Sequence, residues 1–212
     1  MLAGHAGIAL AAKAAEPRLN LGLLFFAAMA VDTLGCVLEL AGLDAALAAG
    51  IAHSLSVSVC LAAAFYLVWI ASAGKRAGGE GVLLALVALS HWPLDWLVHE
   101  PDLPLLWPGG LKLGYGLWRQ PPLAVCVELG IASAGLAVYV LRSAASRGRR
   151  VFTTILVAVA AVPSVVAAYA QRAMHSSAGE EYAIAAGGLV AILAFSGAAA
   201  WADRRRPQLQ PR

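Results

Sequence analysis

The chain has 212 residues, of which 61% are hydrophobic and only 13% charged. A soluble domain is nearer half apolar with about a quarter of its residues charged, and a mean hydropathy of +0.77 leaves no room for an ordinary water-facing surface. Disorder, DNA binding and a disulfide-stapled secreted fold are excluded, and an integral membrane protein remains. The net charge of +3 says little, because basic residues on the cytoplasmic side are normal for membrane proteins. Cys36, Cys60 and Cys126 each sit alone in a different apolar segment without CxxC spacing, and read as small packing residues.

A spanning helix needs about 20 apolar residues. In chain order the candidates are 19–42, 51–72, 80–98, 123–142, 151–170 and 183–202, each bounded by charge, glycine or proline. They are rich in Ala and Leu and lack the alternation of a β-barrel strand. Ahead of them, MLAGHAGIALAAKAAEP is apolar but short, which predicts a half-membrane or interfacial helix ending at Pro17. Residues 1–15 do not read as a signal peptide, because Lys13 and Arg18 follow the apolar stretch instead of preceding it. The expected fold class is therefore all-α, a polytopic bundle of about six spans in one membrane domain over 1–212.

If the first full span runs from inside to outside, twelve of the fifteen Lys and Arg residues fall on the inner side, leaving Lys112, Arg119 and Arg172 outside. This is a strong positive-inside bias and predicts that both termini are cytoplasmic. The clusters RGRR at 147–150 and RRR at 204–206 suit anionic lipid headgroups, and are too short and too close to helix ends for nucleic acid. The last two spans carry no ionisable group before their ends and read as packing helices with a basic tail, so the chemistry is expected before about residue 130.

Charged groups within a span cost roughly 2.5–3.5 kcal/mol each even on the lenient insertion scale. Asp32, Asp95 and Glu128 lie 14 or 15 positions from the inner-side charge of their own spans. At about 1.5 Å per residue that puts all three ~21–23 Å up, in the outer half of the bilayer. His91 and Asp95 are i, i+4 and share a helix face, with Pro93 between them, and His99 extends the stripe by one turn. His53, followed by Ser54, begins the second span at its outer rim. His5 reaches the same level if 1–17 enter the membrane, and stays inside if they lie flat. Such a set of histidines and carboxylates suits Zn, Mn or non-haem Fe. It equally suits hydrogen-bonded structural residues or a proton relay. His175 and the Glu180–Glu181 pair read as a solvated loop.

The loop 99–122, HEPDLPLLWPGGLKLGYGLWRQPP, is long for a compact bundle. Trp107, Tyr115 and Trp118 give it interfacial anchors. It is either a lid over the His91/Asp95/His99 stripe or an aromatic belt.

The order of His5, Asp32, His53-Ser54, Ser90-His91, Asp95, His99 with PDLPL at 101–105, GLW at 116–118 and Glu128 resembles an uncharacterised group of bacterial membrane proteins, often labelled membrane protein or permease. That group is in turn similar to the predicted membrane-bound metal-dependent hydrolases of the bacterial inner membrane. The resemblance covers about residues 1–145. The chain departs from the hydrolase pattern at Leu34, where that pattern has a second aspartate, and at AAGIAHS, which lacks a His, an Arg and a Thr of the pattern. The resemblance implies a divalent metal held by His5, Asp32, His53, His91 and Asp95, with Asp95 and Glu128 in catalytic roles. It also implies the bacterial inner membrane and hydrolysis of a lipid-associated ester or phosphoester. The alternatives are a small-solute or proton-coupled transporter using the same residues, or an accessory membrane protein without catalysis.

Overall fold

The computed structural model describes residues 1–74, 77–143, 145–170 and 178–204. His175 lies outside these, as do Lys75, Arg76, Arg172, Arg205, Arg206 and Arg212. The chain is helical almost throughout: α1 (Leu2–Ala15), α2 (Leu21–Ala28), α3 (Ala30–Leu40), α4 (Ala45–Ala52), α5 (Leu55–Ala73), α6 (Gly78–Leu89), α7 (His91–Val98), α8 (Pro121–Arg142), α9 (Arg147–Ala170) and α10 (Ala178–Arg204). Between α7 and α8 a two-residue antiparallel pair joins β1 (Leu103–Pro104) to β2 (Lys112–Leu113).

Among the described residues five helical stretches are long and apolar enough to cross a membrane, or six if the bent pair α2–α3 counts as one span. Leu67, Val68, Leu86, Leu141, Val162 and Val190 all point outward. An apolar outer surface of this extent is what a helical bundle presents to lipid.

The N-terminal helix is the centre of the bundle. α1 packs against α2, α6, α8 and α9, and nine of its residues from Ala3 to Lys13 are buried. A helix that is apolar all round belongs inside a protein, so α1 does not lie flat as an interfacial helix. Its closest neighbour is α8, because glycines let the two backbones touch. A Cβ on Gly135 would overlap the carbonyl of Gly7, and one on Gly7 would press on the backbone of Ile131 and Ala132. Close approach at small residues is the usual way helices associate where water supplies no driving force. Gly135→Val is therefore expected to lower stability by at least the ~1–3 kcal/mol of an overpacked core, read as a lower unfolding midpoint in detergent. Gly130→Ala on the same helix meets nothing within 4 Å and serves as the neutral control.

One of the expected spans is broken: the first bends by 61° at Met29, between α2 and α3. The third runs from Gly78 to Val98 as one stretch, with a turn only at Ser90 between α6 and α7. Pro93 there has no N–H to give the carbonyl four residues back. The second expected span also differs at its start. Its helix, α5, begins at Leu55, with Ser54 capping it by accepting from Val57 N. The residues just before form the separate short helix α4, which packs back along α3 and ends at His53.

Candidate metal centre

Each polar residue of the centre is delivered by one of these irregularities. At the Met29 break the carbonyl of Ala28 loses its partner in the helix, and the His91 Nδ1–H donates to it at 2.7 Å. A side chain inserted into the hydrogen-bond ladder is a recognised cause of a sharp bend. His91 begins α7 directly after the turn at Ser90, and the i, i+4 spacing brings His91 Nε2 to 2.9 Å from Asp95 Oδ2. The reversal through α4 carries His53 back to α3, where its Nε2 stands 3.1 Å from Asp32 Oδ1. His5, one turn into α1, is fully buried, and its ring lies 4.1 Å from that of His91.

The residues converge on two carboxylates. Asp95 Oδ2 is 3.6 Å from His53 Nε2 and 3.9 Å from His99 Nε2, and Asp95 Oδ1 is 3.8 Å from His5 Nε2. Asp32 Oδ1 is 3.5 Å from His91 Nε2. One ligand atom each from Asp32, His53, His91 and Asp95 lies within 4.8 Å of all the others, so this group can hold a metal ion. Donor atoms around a Zn-sized ion at ~2.0–2.2 Å stand about 3.3 Å apart, and the four imidazole–carboxylate distances in the group, 2.9, 3.1, 3.5 and 3.6 Å, lie around that value.

The ring orientations fit the same purpose. His91 Nδ1 donates to Ala28 O, His53 Nδ1 to Ala49 O at 3.1 Å, and His5 Nδ1 to Met1 O. A carbonyl only accepts, so in each ring Nδ1 carries a proton, which leaves Nε2 as the atom that faces the carboxylates, free to donate to them or to offer its lone pair to a cation between them. His99 repeats the pattern, with Nδ1 on Asp102 Oδ1 at 3.2 Å. Ring nitrogens fixed from behind in this way are the usual outer shell of a metal site. Three of the inward-facing atoms, His5 Nε2, His91 Nε2 and Asp95 Oδ1, are buried without a hydrogen-bond partner. Buried polar atoms are nearly always satisfied; His91 and Asp95 belong to the group that can hold a cation, and His5 stands beside it.

Glu128 stands beside this group instead of inside it. Its Oε1 accepts from the main-chain Ala3 N at 3.0 Å, a nitrogen also bonded to Ser164 Oγ at 3.1 Å. Glu128 and Asp32 both line a cavity of about 200 Å³, together with Trp118 and Ser164. Ser164 and Pro163 belong to α9, which the sequence marked only as packing. A Pro-Ser pair in mid-span was the available signal.

The loop from His99 to Gln120 closes the His99 side of the group. Ser56 on α5 donates its main-chain N–H to Leu105 O at 3.3 Å and its hydroxyl to Leu106 O at 2.6 Å. Gly116 N donates to His99 O and Tyr115 N to Trp96 O. The Trp118 ring rests 4.3 Å from His99, while Leu106, Trp107, Leu111 and Tyr115 at the outer rim point away from the protein. Trp118, one of the three aromatics expected as anchors, therefore packs on the group, while Trp107 and Tyr115 are exposed. Glu100 and Arg119 pair across its base, Arg119 Nε donating at 2.8 Å.

No family model, curated protein or solved structure matches the chain.

Proposed function

We propose that the chain is a membrane hydrolase that uses a divalent metal, held by Asp32, His53, His91 and Asp95 with His5 in reach, to cleave a lipid-associated ester or phosphoester. The observation that carries this reading is the set of imidazoles held by Nδ1 from behind, with Nε2 aimed at two carboxylates, Asp95 buried and Asp32 partly exposed. A divalent cation between them would take the Nε2 lone pairs and balance both carboxylates at once.

A bound Zn, Mn or Fe ion would polarise the phosphoryl or acyl oxygen and acidify a water. Glu128 faces the small cavity beside Asp32 and serves as general base, taking a proton from the water whose oxygen forms the new bond to phosphorus or to the acyl carbon. The leaving oxygen departs with the electron pair of the broken bond and receives a proton. His99, oriented by Asp102, is the donor on the loop side, giving up its Nε2 proton from the imidazolium form and keeping the one on Nδ1. Asp95 is the ligand shared by the most histidines, and its charge holds the group together. The basic residues on one side of the spans support an orientation with both termini cytoplasmic against anionic lipid. The family resemblance points to the bacterial inner membrane.

The test uses full-length protein in lipid nanodiscs, with elemental analysis for metal and hydrolysis of chromogenic phosphodiester and carboxylester probes, with and without chelator. One metal per chain and chelator-sensitive hydrolysis are expected. Glu128→Gln should keep its metal and lose about 10²–10⁴-fold in rate, the range for a missing general base. A folded, metal-free wild type overturns the proposal. If that protein also carries protons across vesicle membranes, the same residues form a relay.

A further inference from the structure

A second, larger cavity meets the centre from the side. It has a volume of about 460 Å³ and lies between α3, α9 and α10, and its walls include Met29, Cys36, Val159, Ile184, Ile192 and Phe195. Asp32 and His53 line it too, so the metal group forms part of its wall. Its length follows from α10: Ile184 to Phe195 is eleven residues, about 16 Å at 1.5 Å per residue. On α3 the lining residues Asp32, Gly35, Cys36 and Glu39 fall on one helical face. Asp32 therefore sits part-way along the cavity, with an apolar end formed by Leu2, Met29 and Phe195, and Glu39 about two turns away toward the other end.

The shape comes from small residues. Gly35, Ala160, Ala185 and Gly188 stand where bulkier side chains would fill the gap between the three helices. The wall is overwhelmingly apolar, and apolar cavities stay dry and take apolar guests. The volume is in the lower half of the range for small-molecule sites, room for one hydrocarbon chain and not for two. A long apolar slot with a polar reactive group part-way along its wall is the complement of an amphiphile.

We propose that this cavity takes the single acyl chain of an amphiphile and presents the ester or phosphoester junction of that molecule to Asp32 and His53. The inference rests on the metal-centre reading for the chemistry at the junction, but not for the occupant of the apolar slot.

The probe is a lysophospholipid with a diazirine in its acyl chain, photolysed with the full chain in nanodiscs, with adducts mapped by mass spectrometry and metal measured in the same sample. The expected result is adducts on Cys36, Gly188 and Ile192, suppressed by excess unlabelled lysophospholipid. A diacyl phospholipid carrying the same diazirine should label the outward residues Leu67 and Val166 instead. Gly188→Leu fills the slot, since even a Cβ there comes within 3.3 Å of Cys36 Sγ, and it should cut the competed labelling about tenfold or more while metal content is unchanged. Cys36→Phe, on the opposite wall, is the second variant should Gly188→Leu not fold. Labelling confined to outward residues, or cavity labelling that excess lysophospholipid leaves intact, overturns the inference while leaving the metal reading standing. Competed cavity labelling in a metal-free protein upholds the acyl-chain site and overturns the hydrolase reading alone.

Discussion

Asp95→Asn is expected to strip the protein of its metal while leaving the helical bundle folded. The substitution keeps the size and shape of the side chain and removes one negative charge. In the wild type one carboxylate oxygen faces His91, His53 and His99 at 2.9, 3.6 and 3.9 Å, and the other faces His5. Among the described residues no other side chain meets all four rings. Losing an outer-shell partner already costs a metal site roughly 10–100-fold in affinity, and losing an anionic ligand costs more. Elemental analysis after dialysis should find less than one metal in about a hundred chains. Circular dichroism should retain the helical signal, because the main-chain carbonyl of Asp95, which accepts from His99 N at 2.8 Å, is untouched. Full metal occupancy in this variant would falsify the assignment of the centre. His91→Ala is less clean as a test, since it also abandons the Ala28 carbonyl at the bend.

The largest stability effect is expected at the other end of α1. Lys13 is buried, and its ammonium donates to Pro17 O at 2.9 Å, Leu19 O at 2.7 Å and Asp203 Oδ2 at 2.7 Å. The same Asp203 oxygen accepts from Leu21 N at 3.1 Å, and Arg149 approaches its other oxygen at 3.6 Å. One carboxylate from the last helix thus ties together the end of α1, the start of α2 and the start of α9. Removing one partner of a buried pair costs about 3–5 kcal/mol, because the remaining charge keeps its desolvation penalty. Asp203→Ala should lower the unfolding midpoint accordingly, and a Lys13→Met/Asp203→Leu double variant should recover much of the loss. A cost below about 1 kcal/mol, typical of an exposed pair, would show that water reaches this site.

Much of this arrangement was legible in the residues. Composition alone indicated apolar spans, and the His91–Asp95 spacing indicated one face of one helix. Of the three carboxylates expected at one level, Asp32 and Asp95 meet in one group, while Glu128 stays outside it and lines a small cavity together with Asp32. The bend at Met29 was not legible. The segment FFAAMAVD has neither proline nor glycine, and the group that opens its ladder comes from His91, 63 residues beyond Ala28. The return of α4 was hidden for a similar reason, because LDAALAAGIAHS is apolar enough to continue as the beginning of a span. The position of α1 was partly legible. Its small apolar residues run all round the helix, but Lys13 argued for a surface, and its partner Asp203 is 190 positions away. The scaffold role expected for the last two helices was too narrow, since Ser164 reaches the start of α1 and Asp203 its end.

The bend at Met29 has a mechanical side. His91 grips it from behind with one nitrogen and faces the carboxylates with the other, so a single ring couples the angle between α2 and α3 to whatever the carboxylates hold. An ion drawn to Nε2 pulls on the same ring that props the bend open, and the free energy of binding becomes rigidity of the first span. The larger apolar cavity borders that bend at Met29 and Asp32, so the angle held by His91 also sets the width of the cavity at that end.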